Sequence, residues 1–255
     1  MTEKYRNTPK GRIAPNGYRL CDPLPEGQIL LDFEKTQWII GGFGEIYLIH
    51  PKDTPSRQCV IMKLDNINGP LFVEVNFVLR ACVPRFIASG THNSSYRFLI
   101  MERLGEELQK VLETRHLSIS TTCRIVCRII DVLEYIHDQG YIHADIKAQN
   151  ILHDQQSSDN LIDEDDNYYL IDYGLVERFI LQGSHKPYEP DKRKANNGTC
   201  EFRSRDAHIG VISRRSDIES LGYNLILWFY GRHPWANLLK DAEKVLAKKL
   251  GNVKY

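Results

Sequence analysis

Tyr141-Ile142-His143-Ala144-Asp145-Ile146-Lys147-Ala148-Gln149-Asn150-Ile151-Leu152 is the stretch that decides how this chain reads. An acidic residue, Asp145, is followed at +2 by a cation, Lys147, and at +5 by an amide, Asn150. Apolar pairs border the set on both sides. Phosphoryl transfer asks little covalent chemistry of a protein. It needs an oriented acceptor hydroxyl, positive charge beside the moving phosphate, and an oxygen ligand for a metal ion. Asp145, Lys147 and Asn150 supply these in that order. A His-x-Asp triplet alone would carry no weight, because short patterns recur by chance; the full spacing between apolar borders does.

Other elements occur in a consistent chain order. Cys59-Val60-Ile61-Met62-Lys63 is an apolar run ending in a lysine, and Glu74 follows in a helical stretch, Gly69 to Arg80. Leu170-Ile171-Asp172-Tyr173-Gly174-Leu175 is an apolar strand ending in Asp-aromatic-Gly. Together these match the protein-kinase signatures V-A-I-K, H-R-D-L-x-x-x-N and D-F-G, with Ala144, Ile146 and Tyr173 as departures. Gly41-Gly42-Phe43-Gly44-Glu45-Ile46 resembles the second half of a glycine-rich phosphate loop. Taken singly, Lys63 is an ordinary strand-end lysine and Glu74 an ordinary helix carboxylate; order and context give them meaning.

The resemblance narrows further. Gly69-Pro-Leu-Phe, Ser95-Tyr-Arg-Phe, His143-Ala-Asp-Ile-Lys-Ala, Asn197-Gly-Thr-Cys-Glu-Phe, Asp206-Ala-His and His233-Pro-Trp look like the vaccinia-related kinase family. The likeness runs from about Asp32 to about Lys240. It implies an α+β, two-lobed protein-kinase fold and a Ser/Thr protein kinase of the casein-kinase-1-like group. It also implies nuclear or chromatin-associated protein substrates, a nuclear or cytoplasmic location, and ATP with Mg²⁺. By that likeness Asp145 is the base, Lys147 and Lys63 neutralise phosphates, and Glu74 pairs with Lys63. Gly41, Gly42, Gly44 and Ile46 cover the nucleotide. Met101, Glu102 and Leu104 flank its adenine, and Asn150 and Asp172 bind the metal. Thr199 bridges Asp145 and Lys147, and a buried Asp217 supports the catalytic loop backbone. Ala144 removes the arginine that receives an activation-loop phosphate in many kinases, so activity is expected without such a switch.

The pattern also breaks. Ile40 passes directly into Gly41-Gly42-Phe43-Gly44, without the first glycine or the end of the first strand. Backbone N–H groups make the phosphate cradle, so a shortened hairpin predicts weaker nucleotide binding. Ala81-Cys82-Val83-Pro84 replaces a longer helical region after Arg80. The chain stops at Tyr255, short of the family's last helices, which predicts uncovered apolar surface around Leu225, Trp228 and Phe229. These losses keep a second reading open: a catalytically weak pseudokinase acting as a binding module.

The 33 basic and 33 acidic residues cancel. A neutral chain with no basic stripe argues against a nucleic-acid binder, and no apolar run approaches the 18 residues of a membrane span. No partner beyond a protein substrate is expected, and the chain reads as a monomer. Six cysteines show no zinc spacing and read as reduced thiols, Cys123 and Cys127 as small buried residues. The first residues carry no signal-peptide pattern. Residues 1–31 read as a flexible arm, 32–101 as the sheet lobe, 102–105 as the hinge, and 106–255 as a truncated helical lobe. Strands are expected at Trp38–Ile40, Glu45–Ile49, Val60–Leu64 and Phe98–Met101. Helices are expected at 106–114, 120–139 and 216–230, with an exposed one at 238–250.

Overall fold

A computed structural model describes residues 33–41, 44–51, 60–69, 71, 74, 86–92, 94–153, 168–195 and 197–251. The arm at 1–31, most of the helix at 69–80 and the acidic loop at 155–167 lie outside these residues or nearly so. The chain forms two compact units that divide between Arg103 and Leu104.

The first unit is built on one antiparallel sheet. β1 (Phe33–Gly41), β2 (Gly44–Pro51), β3 (Val60–Asn66), β4 (Phe86–His92) and β5 (Tyr96–Glu102) pair in the order β1-β2-β3-β5-β4. The β1–β2 ladder runs to its last pair, Gly41 with Gly44. The strand expected at Trp38–Ile40 thus runs over nine residues. Pairing needs only extended backbone, and the residues before Gly41 supply it whatever their identity. In β5, Phe98, Leu99, Ile100 and Met101 are buried in succession, so both faces of this strand are covered. Leu71 and Glu74, both helical, are buried as well.

The second unit is mainly helical. α1 (Leu108–Thr114) is followed by α2 (Ile119–Asp138). Ser118 caps α2 by accepting from the Thr121 N–H at 3.0 Å, an arrangement that contributes about 1 kcal/mol. Ile125, Ile129, Val132, Leu133 and Ile136 form its buried stripe. Each such side chain stabilises the unit by about 1.5–3 kcal/mol. Short strands carry the functional loops: β6 (Tyr141–Ile142), β7 (Ile151–His153) and β8 (Tyr168–Leu170). β7 and β8 pair antiparallel, Ile151 opposite Leu170. α3 (Arg205–His208), α4 (Arg214–Tyr230) and α5 (Ala242–Lys249) complete the unit.

Three further expectations change. Cys123 and Cys127 are exposed, because the α2 stripe turns its other side inward. The last helix begins at Ala242, capped by Asp241, and is not simply exposed, since Val245 is fully buried. Trp228 is buried, and the exposed apolar groups at that end are Phe229 and Tyr230.

Candidate active site

The loop between β6 and β7 gathers Asp145, Lys147 and Asn150. Lys147 Nζ donates to Asp145 Oδ2 at 2.6 Å and to Thr199 Oγ1 at 3.2 Å. Thr199 closes the circle: its N–H and its hydroxyl both donate to Asp145 Oδ1 at 3.0 Å. Asn150 Nδ2 donates to the Asp145 carbonyl at 2.9 Å. Burial pushes the Asp145 carboxyl up, but the Lys147 charge and the bonds from Lys147 and Thr199 outweigh it. The net effect holds Asp145 below the ordinary carboxylate range, so it is ionised at neutral pH.

Gly198 explains how Thr199 comes so close. Its φ is +73°, and a Cβ there would lie 2.7 Å from the Ala144 carbonyl oxygen. Only glycine takes that backbone at that distance without strain. Arg203 completes the turn by donating to the carbonyls of Asn197 and Gly198, each at 2.8 Å.

The loop backbone is held from below. Asp217, on α4, accepts the N–H of His143 at 2.8 Å and of Ala144 at 2.9 Å, and faces His137 Nε2 at 2.9 Å. Ala144 itself sits at φ +68°, a left-handed conformation unfavourable for alanine. The paired carboxylate offsets that strain. His143 Nε2 donates to the Ile171 carbonyl at 3.1 Å, which leaves Nδ1 to accept from the Asp145 N–H at 3.3 Å. The Ile171 N–H in turn donates to the Asn150 carbonyl at 2.9 Å. Asp172 is the next residue, at φ +67°. Asn150, just before β7, and Asp172, just after β8, thus sit at the end of the paired strands where that bond is made. With Nδ2 of Asn150 turned to Asp145, Oδ1 is the atom it offers to a cation. An amide oxygen and a carboxylate are hard oxygen donors, the set that suits Mg²⁺ completed by phosphates and water.

The segment between Asp172 and Thr199 is fastened by protein groups. Glu177 pairs with Lys194. Asp206 accepts from Tyr188 at 2.7 Å and from Arg215 through both oxygens at 2.6 and 2.8 Å.

In the first unit, Lys63 Nζ donates to Glu74 Oε1 at 2.6 Å, with both side chains largely buried. Ile46, half-buried, is the cross-strand partner of Lys63. Gly41 and Gly44 form the last pair of the hairpin, and Gly42 lies outside the described residues. Met101 is buried, and Glu102 pairs with Val60. Leu104, in the second unit, is buried. Beside it, the Gly105 N–H donates to the His153 carbonyl, and the Glu106 N–H to His153 Nε2 at 2.9 Å. The roles of His153, Arg203 and Lys249 were not legible in sequence, because each acts through backbone groups that no motif encodes, nor was that of His137, whose partner Asp217 is 80 residues away.

Burial, with Lys249 and Arg203 nearby, pushes His208 down to about 3. An unfolded histidine takes its proton near pH 6.5. Between these values the unfolded chain binds the extra proton, so stability is lost as pH falls through this window. The melting temperature should fall between pH 7 and 4.5, and His208→Gln should flatten the profile. An unchanged slope in the variant would count against this assignment.

The family described as Protein kinase domain matches residues 71–253. The chain is a protein kinase of the vaccinia-related family. Serine/threonine-protein kinase VRK2 of Homo sapiens is 40% identical over 263 residues, which take in 91% of this chain and 50% of that protein. Probable serine/threonine-protein kinase FPV212 of Fowlpox virus is 35% identical over 265 residues, covering 92% and 84%. Nucleosomal histone kinase 1 of Drosophila melanogaster is 36% identical, covering 86% and 40%. The solved structure of vaccinia related kinase 3 superimposes with a TM-score of 0.75 at 30% identity, covering 91% of this chain and 77% of that one. The fold is therefore the two-lobed protein-kinase fold. The chain spans about half the length of VRK2. The first two alignments are longer than the 255 residues present, so segments of each relative have no counterpart here.

Proposed function

We propose that this chain transfers the γ-phosphate of ATP to serine or threonine of a protein substrate. The observation that carries the reading is the ionised Asp145 carboxylate, held by Lys147 and Thr199 within hydrogen-bond reach. Asp145 orients the acceptor hydroxyl and takes its proton as the oxygen bonds to the γ-phosphorus. The bond from that phosphorus to the β–γ bridging oxygen breaks, and ADP leaves. Lys147 balances charge on the moving phosphoryl group. Lys63, fixed by Glu74, holds the α- and β-phosphates, and the same reading assigns Gly41, Gly42, Gly44 and Ile46 to the nucleotide. Met101, Glu102 and Leu104 flank the adenine. Asn150 and Asp172 would hold Mg²⁺, which neutralises phosphate charge when bound.

The same reading assigns residues 32–101 to the sheet lobe, 102–105 to the hinge and 106–255 to the helical lobe. A chromatin-associated substrate, and with it a nuclear location, is supported by the family and by the name of the Drosophila relative. We read the chain as a monomer without nucleic-acid or membrane partners. Among the described residues no helix is long and apolar enough to cross a membrane.

The tight hairpin at Gly41 and Gly44 and the unmatched segments favour one other reading, a catalytically weak pseudokinase acting as a binding module. Thermal melting with Mg²⁺-ATP tests the binding step that transfer needs. At a hundredfold excess over Kd, ATP should add about 2.7 kcal/mol, about 5–10 °C for a chain of this size. An unmoved melting temperature contradicts ATP binding. A shift without phosphate transfer decides for the second reading.

A further inference from the structure

Lys249, the last residue of α5, reaches back into the segment that follows Thr199. Its Nζ donates to three backbone carbonyls, those of Cys200 at 3.1 Å, Glu201 at 3.1 Å and Arg203 at 2.7 Å. The same nitrogen lies 4.7 Å from the centre of the Tyr223 ring and 4.8 Å from that of Trp235. Three carbonyls match the three N–H groups of an ammonium ion, and two aromatic faces attract its charge.

The Glu201 carbonyl also accepts from Trp235 Nε1 at 3.0 Å. The Glu201 carboxylate meets His233 Nδ1 at 2.8 Å, while His233 Nε2 donates to the Tyr223 carbonyl at 2.8 Å. Trp235 stacks on His233, and Tyr223 meets Trp235 edge-on. Lys249 therefore joins α5, α4 and the His233-Pro-Trp turn to one short piece of backbone. That piece begins one residue after Thr199, and its Phe202 and Arg203 N–H groups donate to the Thr199 carbonyl at 3.0 and 2.9 Å. Thr199 in turn holds Asp145. The chain of bonds from the Lys249 ammonium to the Asp145 carboxylate is continuous.

We propose that Lys249 is a positioning residue for phosphoryl transfer: its ammonium tethers residues 200–203 and so sets the Thr199 bridge against Asp145. The proposal deepens the kinase reading given above and rests on it for its catalytic consequence. The tether itself does not depend on that reading. Lys249 acts through residues 200–203 and Thr199, so its effect is on the protein substrate and the turnover step. Burial pushes the ammonium down to about 7, against the carbonyls and rings that favour it. The other groups facing it are Arg203, His208, Glu201, Glu219 and the Cys200 thiol. The test is best run at pH 6.5, where the protonated form prevails.

Lys249→Met removes the charge and the donors while keeping length, and Lys249→Arg keeps both. Amide hydrogen exchange on the purified full chain is the first measurement. Lys249→Met should lower protection of the Phe202 and Arg203 amides at least tenfold and leave those of Ile125 to Ile136 unchanged. Lys249→Arg should stay within threefold of the wild type. Steady-state kinetics with a protein substrate is the second. Lys249→Met should raise the protein-substrate KM or lower kcat by tenfold or more, with KM for ATP within twofold, and Lys249→Arg should restore it. Equal protection at Phe202 and Arg203 in wild type and Lys249→Met overturns the tether. So does loss of protection across α2 as well, which would make Lys249 a general structural residue. Met and Arg variants that behave alike would show that packing, not the ammonium, fixes the segment. Local loss of protection in a chain whose wild type transfers no phosphate would keep the tether and reject the kinase reading alone.

Discussion

Asp145→Ala should leave a folded chain that binds Mg²⁺-ATP but transfers phosphate about 10²–10⁴-fold more slowly. That range is the usual contribution of a positioned general base. The loss has two sources. The acceptor hydroxyl loses the group that orients it and takes its proton. Lys147 and Thr199 also lose their shared anchor, since both donate to the Asp145 carboxylate. Asp145→Asn separates the two. It keeps the shape, and one oxygen can still accept from the Thr199 N–H. Its amide then turns two N–H donors toward the Lys147 ammonium, which is itself only a donor. The Asn variant should therefore be as inactive as the Ala variant while melting closer to the wild type. Activity within tenfold of the wild type in either would remove Asp145 from the chemistry.

Asp217→Ala should be the most destabilising single change in the second unit. Its carboxylate is 1% exposed and accepts from two backbone N–H groups and faces His137. Leaving a buried donor without its acceptor costs about 1–3 kcal/mol for each group, and here two backbone N–H groups are left. The same bonds hold Ala144 at its positive φ. Activity should fall with stability, since the loop that bears Asp145 starts there. Asp217→Asn keeps one acceptor oxygen and should lose about half as much. Urea denaturation measures both. A midpoint for Asp217→Ala that matches the wild type would mean that the loop is held elsewhere.

The two residues also show what a sequence can reveal. Asp145, Lys147 and Asn150 were legible because catalysis demands those side chains at that spacing, and a short loop cannot deliver them otherwise. Asp217 and Thr199 were legible only through the family resemblance. Their partners lie 73 and 54 residues away along the chain, and composition says nothing about which backbone N–H a carboxylate will meet. The α2 stripe was readable from its period, whereas the outward turn of Cys123 and Cys127 follows from the same period and was set aside for their small size. The last helix was misjudged because its exposed charges dominate the count. Val245 and the buried reach of Lys249 are single positions within it. The first strand, expected at Trp38–Ile40, runs from Phe33 to Gly41, because ladder pairing depends on backbone and is indifferent to the apolar pattern that marks only its end.

Transfer of radiolabelled γ-phosphate from Mg²⁺-ATP to a histone substrate by the purified full chain, compared with Asp145→Asn prepared in parallel, is the most direct test. The wild type should place label on serine or threonine in a reaction that EDTA prevents, with the variant at background. A wild-type chain that is folded and binds ATP, yet labels no more than Asp145→Asn, would contradict the account.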